Sequence, residues 1–544
     1  MNAFAFAIVA AATLTPHRAT IVTPRLARQI SVEHETSVAV WVLFSDKAVG
    51  PAGQPAALAA CEAALSDRAL RRRALRRTAP GSVDARDLPV APAYVDAVVA
   101  TGARLRQTSR WVNAVSVEAT GEQIETIAAL PFVWKIQPVA RARRASPIPA
   151  ELAEPPPFIP FGDDPAWYDN SYNQLNQINV VAAHNAGYTG EGVIIGVLDT
   201  GFKRTHECFN QTEDPAHPVQ VIDEHDFIND DDNTSFEEGD PDGQCHHGTL
   251  ILGVLGAYHP TVLVGAAFDA SFLLAKTEIL DQEIPVEEDY YVAGLEWIEA
   301  NGADLATSSL GYIDWYTDED LDGQTAVTTV AVNAATDNGL VCCTAAGNNG
   351  HDGNPATLHL LAPADAFKVL SCGAVHGSGV IAGFSSDGPS YDGRVKPEVL
   401  ARGVGTSTVS PTNDLTITTA SGTSLSTPLV AGGTALIVQA HPDWSVERVR
   451  RALFHTAADF LANSTYDADY VRGYGVIDIM AAIEFVHGDI DDDGTADGDD
   501  IPAFLSALQG ANSDAAQVRR SDANADGVVD LNDVPVFVGD LLGA

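Results

Sequence analysis

Three short segments carry side chains whose types suit nucleophilic catalysis. Leu198-Asp199-Thr200-Gly201 closes an apolar run, His246-His247-Gly248-Thr249 is followed by Gly253, and Gly422-Thr423-Ser424-Leu425-Ser426-Thr427-Pro428 opens a helical pattern. Acyl transfer needs a nucleophile, a base that takes its proton and an acid that orients the base. A serine at a helix N-terminus lies near backbone N–H groups that favour developing negative charge. An aspartate at the C-terminal end of a strand lies where parallel α/β sheets place their chemistry. Each segment alone is commonplace, since a serine at a helix start is most often only an N-cap. It is their joint occurrence that carries weight.

A second constellation lies near the C-terminus, where residues repeat with a period of 33. Asp489, Asp491, Asp493, Asp497 and Asp500 recur as Asp522, Asn524, Asp526, Asp530 and Asp533; Ile501, Pro502 and Phe504 recur as Val534, Pro535 and Phe537. Oxygen ligands thus fall at loop positions 1, 3, 5, 9 and 12, with Gly494 or Gly527 at position 6. A hard cation takes six to eight oxygens, and the glycine permits the sharp turn, so the pattern fits Ca2+. The repeated apolar positions argue against an acidic disordered tail. A third acidic stretch, Asp230-Asp231-Asp232 with Glu237 to Asp242, precedes His247 and reads as a solvated loop, with a calcium site as the alternative.

The elements that position these residues follow from periodicity. Val193 to Leu198, Leu340 to Ala346 and Val369 to Val375 are continuous apolar runs, as expected of strands buried on both faces. Ser424 to Ala440 and Ser445 to Ala457 read as helices, and the alternation over 165–486 argues a parallel sheet with helices on both faces. Upstream, Val38 to Phe44, Trp111 to Val117 and Val133 to Val139 read as strands and Glu122 to Leu130 as a helix, a small α+β unit. Within it, Arg68 to Arg77 reads as a basic helix stopped by Pro80. A basic tract, Arg141 to Arg144, and a Pro-rich linker, Pro147 to Pro160, follow.

The order Asp, His, Ser, with gaps of 48 and 177 residues, resembles the subtilisin-like serine peptidases (subtilases). The resemblance covers roughly 175–486 and extends to Ala345-Ala346-Gly347-Asn348-Asn349-Gly350, similar to the family's oxyanion-hole loop. It extends also to Ser308-Ser309-Leu310-Gly311, similar to the strand that pairs with substrate backbone, and to Phe384 to Pro389 and Lys396 to Val399. It implies a secreted or cell-surface endopeptidase of subtilisin-like α/β fold acting on proteins or peptides. Ser424 is then the nucleophile, His247 the base, Asp199 the residue that fixes the imidazole, and Asn348 the oxyanion donor. Ser309, Leu310, Gly311 and Gly347 are the implied substrate-binding residues. The family usually has Met-Ala after the nucleophile, where this chain has Leu425-Ser426. The G-T-S pattern selects Ser424 over Ser426, and the Gly-Thr that follows selects His247 over His246. A non-catalytic binding or scaffold protein on the same fold is the alternative from another class. The α+β unit resembles the family's inhibitory prosegment, itself a partner of the enzyme, although a minimal prosegment has no place for Arg68–Arg77. The C-terminal repeats resemble dockerin repeats, which implies a small helical calcium module and a cohesin-like scaffold partner.

Charge sharpens this division. Residues 1–150 hold 18 Lys/Arg against 11 Asp/Glu, whereas residues 151–544 hold 13 against 62. Opposite charge favours attraction between the two parts, and the acidic part argues against nucleic-acid binding. Met1 to Leu14 resembles a signal-peptide core with Ala10-Ala11-Ala12 as a cleavage site, although no Lys or Arg precedes it; the alternative is a buried N-terminal strand. No other stretch is long and apolar enough to suggest a membrane span. The expected organisation is a signal peptide over 1–18, a prosegment over 19–150, a linker and mature N-terminal extension over 151–174, the catalytic domain over 175–486 and the calcium repeats over 487–544. Cys342, Cys343 and Cys372 read as core residues, and Cys208 and Cys245 lie in loops, which leaves a disulfide between them open.

Overall fold

The computed structural model describes residues 21–32, 34–140, 165–209, 218–280, 287–313, 315–491 and 493–542. The signal-peptide expectation over 1–18, the basic tract and the Pro-rich linker lie outside these residues. The chain divides into two compact units, Met1–Gly53 with Pro89–Val139, and Gln54–Leu88 with Ala140–Ala544.

The first unit is built on a four-stranded antiparallel sheet in the order Arg104–Ser109, Ala114–Ala119, Val38–Phe44, Val133–Pro138. The most apolar strand, Val38–Phe44, lies inside the sheet and the polar Arg104–Ser109 at its edge, as burial requires. Helix Gly121–Ala128 begins at a capping box, in which the Thr120 hydroxyl accepts from the Gln123 N–H and the Gln123 side chain accepts from the Thr120 N–H. Val40, Val42, Val117, Ile124, Ile127 and Ile136 form the core. The expected strand from Trp111 starts instead at Ala114. Asn113 takes a positive φ of 55° and its amide donates to the carbonyls of Phe44 and Asp46, so residues 111–113 turn rather than pair.

The second unit holds a seven-stranded parallel sheet in the order Val399–Arg402, Leu370–Val375, Val341–Ala345, Leu305–Ser308, Ile194–Asp199, Ser271–Lys276, Gln220–Asp226. The three apolar runs read as buried strands lie in its interior. Helix Thr423–Ala440 packs across the middle of the sheet, against the strands Leu305–Ser308, Val341–Ala345, Leu370–Val375 and Val399–Arg402. Helices His246–Gly256 and Val446–Thr456 belong to the same core. This is the subtilisin-like α/β architecture expected.

Cys342, Cys343 and Cys372 are buried in strands. Cys208 and Cys245 are buried free thiols, so the disulfide expectation is not met. Burial pushes both thiols up to about 12, and the Cys245 Sγ–H faces the Thr234 carbonyl at 3.8 Å.

The C-terminal repeats form three short helices, Ile501–Leu508, Ala515–Ser521 and Asp533–Leu541, around Ile490, Phe504, Ala523 and Phe537. Phe504 and Phe537, the repeated aromatics, stack with ring centroids 4.0 Å apart. Asp540 accepts a two-pronged bond from Arg451 of the main body, at 2.8 and 2.9 Å. Among the described residues no helix is long and apolar enough to cross a membrane.

Candidate active site

Asp199 ends the strand Ile194–Asp199 and is fully buried. His247 lies in the first turn of helix His246–Gly256, and its Nδ1 is 2.7 Å from Asp199 Oδ1. A carboxylate only accepts, so in the neutral imidazole Nδ1 carries the proton and Nε2 keeps its lone pair. The same Oδ1 accepts from the Thr200 N–H at 2.7 Å and faces the Thr200 hydroxyl at 3.2 Å. Gly248 lets helix and strand meet: a Cβ there would fall 2.3 Å from the Gly201 carbonyl oxygen and 3.1 Å from Asp199 Cβ.

Ser424 lies in the first turn of the central helix, after Gly422. Its Oγ is 3.4 Å from the Ser309 carbonyl oxygen, while the Ser309 hydroxyl donates to the Ser424 carbonyl at 2.9 Å. The turn that holds Ser424 is therefore tied to the residue just past strand Leu305–Ser308. The neighbouring Ser426 is fully buried and donates to the Thr423 carbonyl at 2.9 Å, an i−3 bond within its own helix.

Asn348 follows strand Val341–Ala345. Its Oδ1 accepts from both the Thr423 N–H and hydroxyl, each at 2.9 Å, which fixes the amide's orientation. Its Nδ2 is buried and has no hydrogen-bond partner. A Cβ on Gly422 would lie 3.3 Å from that Nδ2 and 3.8 Å from Ser424 Cβ, so the orphaned donor and the serine share one corner of the fold. A buried unpaired N–H is costly in a folded protein and points to an acceptor supplied from outside. Gly311 and Gly347 meet at Leu361, against which a Cβ on either would come within 2.6 and 3.0 Å. Leu310 and Ser309 are buried. Thr200 and Thr423, which orient Asp199 and Asn348, stand within the sequence motifs, but their bonding roles have no signal there.

The acidic loop before His247 closes on a lysine. Carboxylate oxygens of Asp226, Asp231 and Glu237 lie within 4.8 Å of one another, but the buried Lys276 Nζ sits 2.7 Å from Asp226 Oδ2 and 3.0 Å from Asp240 Oδ2. An ammonium thus already balances this cluster.

The two C-terminal loops have matching hydrogen bonds. Asp489 accepts from the N–H groups of Asp493 and Gly494 at 3.1 and 2.9 Å; Asp522 accepts from Asp526 and Gly527 at 3.0 and 2.8 Å. Asp500 accepts from the Asp491 and Asp497 N–H groups, as Asp533 does from Asn524 and Asp530. Asp489, Asp491 and Asp493 oxygens lie within 4.8 Å of one another. Burial, reinforced by the charges of Asp533 and Asp526, pushes the Asp522 carboxyl up to about 7 despite the Gly527 N–H that it accepts. Such a concentration of like charge fits a bound cation. Asp497 and Asp530 each turn one oxygen to the N–H of Asp499 and Asn532, at 2.8 and 2.6 Å.

Residues 190–476 match the model of the subtilase family, and residues 39–150 that of the peptidase S8 propeptide domain of Bacteroidota. The chain is 29% identical over 390 residues to subtilisin E of Bacillus subtilis strain 168, covering 72% of this chain and 85% of that one. It is 31% identical over 310 residues to a subtilisin of Bacillus pumilus, covering 57% and 98%. The crystal structure of fervidolysin from Fervidobacterium pennivorans, described as a keratinolytic enzyme related to subtilisin, aligns with a TM-score of 0.58 at 21% identity. That alignment covers 83% of this chain and 61% of that one, and it shows likeness of fold. Fold and matches together define a serine endopeptidase made with an N-terminal propeptide. The chain belongs to the subtilase family.

Proposed function

We propose that Asp199, His247 and Ser424 are the catalytic triad of a secreted endopeptidase that processes its own precursor. The observation that carries this reading is the buried, unpartnered Asn348 Nδ2 beside Ser424. In the proposed reaction, the Ser424 oxygen attacks the scissile carbonyl and His247 Nε2 takes its proton. The carbonyl oxygen becomes an oxyanion that accepts from Asn348 Nδ2 and the Ser424 N–H. His247, now an imidazolium held by Asp199, gives the proton to the leaving amine as the C–N bond breaks, leaving an acyl-serine. Water then repeats the sequence and frees the acid. Ser309, Leu310, Gly311 and Gly347 would line the path of the substrate backbone. The domain limits proposed are those set out from the sequence, with the precursor cut between Arg141 and Pro165.

The C-terminal module is read as dockerin-like, with Asp489, Asp491, Asp493, Asp497 and Asp500 in one loop and Asp522, Asn524, Asp526, Asp530 and Asp533 in the other. Calcium would supply the positive charge that holds these carboxylates together. The exposed Leu505, Val538 and Leu542, with Ile501, Val528 and Leu531 also exposed in this module, would offer apolar surface to a cohesin-like scaffold partner. Ser424→Ala should abolish casein hydrolysis with the fold intact, whereas Ser426→Ala should retain most activity. The reverse result would exchange the nucleophile and sink the assignment.

A further inference from the structure

The helix Asp67–Arg76 lies within the stretch that matches the propeptide model, yet it packs in the second unit with the rest of Gln54–Leu88. Its arginines 68, 72, 73 and 76 recur at helical spacing and so share one face. Arg68 Nη2 donates to the Gly192 carbonyl at 2.6 Å and to Asp304 Oδ2 at 2.5 Å. Arg72 donates to the Ala303 carbonyl at 2.6 Å and pairs with the Glu299 carboxylate. Arg73 places Nε and Nη2 on the two Glu299 oxygens, both at 2.8 Å, and bonds Asp87 at 2.8 Å. Arg76 Nε donates to the Pro442 carbonyl at 2.8 Å. Arg72, Arg73, Arg76 and Glu299 are all buried.

The surface under this helix is shaped for it. A Cβ on Gly302 would fall 2.7 Å from Arg68 Cβ, and one on Gly339 would fall 2.6 Å from Arg76 Cβ. Bonds to main-chain carbonyls close both ends: the Ser66 hydroxyl donates to the Ala300 carbonyl at 2.9 Å and the Thr78 N–H to the Asp337 carbonyl at 3.1 Å. Gly192, Ala303 and Asp304 precede the strands Ile194–Asp199 and Leu305–Ser308, whereas Asp199 and Ser309 end or follow them. At about 3.3 Å per residue, the contact lies roughly 17 Å from the catalytic end of the sheet.

We propose that Gln54–Leu88 is a clasp that keeps the prosegment on the enzyme as a non-covalent chain after the precursor is cut. Residues 21–53 and 89–139 run into the clasp at its two ends, so whatever holds the clasp holds them. Guanidinium groups suit the site because a planar fork can bond both oxygens of Glu299 and the surrounding carbonyls at once. A buried ion pair supplies specificity more than net stability, but removing one member leaves an uncompensated buried charge. The proposal rests on the reading that cutting occurs downstream of Val139, and its test is made independent of self-processing.

A Ser424→Ala precursor carrying a site for a sequence-specific protease, inserted after Ala150, is cut and run on size exclusion at micromolar concentration. The two fragments are expected to co-elute, with Arg73→Ala weakening their association by about a hundredfold or more. Glu299→Gln, which keeps side-chain shape, guards against a variant that does not fold and should also raise the dissociation rate. Separation of the unmodified fragments at that concentration, or unchanged dissociation in both variants, overturns the clasp. A Ser424-intact chain that is never cut would count against self-processing alone, since the inserted site still decides the clasp.

Discussion

Replacing Asp199 by Asn separates two things that the carboxylate does for His247. In an enzyme whose aspartate bonds its histidine so that the amide NH2 replaces the accepting oxygen, the imidazole is driven to the wrong tautomer, and kcat falls about 10⁴-fold. Here the geometry differs. The His247 Nδ1 contact and the Thr200 N–H both fall on Oδ1, at 2.7 Å each, while Oδ2 has no partner. A backbone N–H cannot rotate away, so an Asn at 199 should keep its carbonyl oxygen at the Oδ1 position and turn its NH2 to the Oδ2 side. Nδ1–H then still has an acceptor, and Nε2 stays free to take the serine proton. What is lost is the negative charge facing the imidazolium. A hydrogen bond to a charged group contributes about 1.5–3 kcal/mol against about 0.5–1.5 for a neutral one. The difference, of order 1–2 kcal/mol, corresponds to roughly a tenfold fall in kcat, well short of 10⁴. The buried NH2, if unpaired, should cost a further ~1–3 kcal/mol of folding stability. The assay is kcat on a chromogenic peptide, together with a thermal melt of Asp199→Asn. A loss near 10⁴-fold in a folded variant would refute the argument from the shared oxygen.

Other expectations follow from the same residues. The precursor should cut itself between Arg141 and Pro165, so the Ser424→Ala chain, purified free of other proteases, should persist at full length; maturation of that variant would refute self-processing. The full chain should bind up to two Ca2+ ions in its C-terminal loops, and Asp493→Ala with Asp526→Ala should remove them, read by metal content after dialysis at fixed free calcium; unchanged content would reject the loops as ligands. Leu425, buried next to Ser424, takes the place of the oxidisable Met usual in the family. Mild peroxide should therefore spare activity, and Leu425→Met, a swap of similar volume costing less than about 1.5 kcal/mol, should make the enzyme peroxide-sensitive. Loss of natural activity in step with oxidation of Met480 would count against this.

Sequence alone made most of the elements legible. Apolar runs such as Val193 to Leu198 have no polar face, so only a strand covered on both sides accommodates them, and the structure has Ile194–Asp199 in the sheet interior. The 33-residue repeat is equally local, because such a loop is written within a dozen residues. The basic helix at Arg68–Arg77 was legible as a helix for the same reason. Where that helix belongs was not. Its partners Glu299 and Asp304 lie more than two hundred positions away, and nothing in a guanidinium's sequence context names the carboxylate it will meet. Chain order placed the helix in the prosegment; the tertiary structure packs it in the unit of the catalytic sheet. The acidic loop was likewise unreadable from sequence as regards its partner, the buried Lys276 of strand Ser271–Lys276, which pairs with Asp226 and Asp240. The orientation of Asn348 depended on Thr423, and so on the folded approach of two loops. Periodicity and spacing fix what each segment becomes, whereas which charge faces which, and which donor is left unpaired, is settled only when distant segments share the same low-dielectric interior.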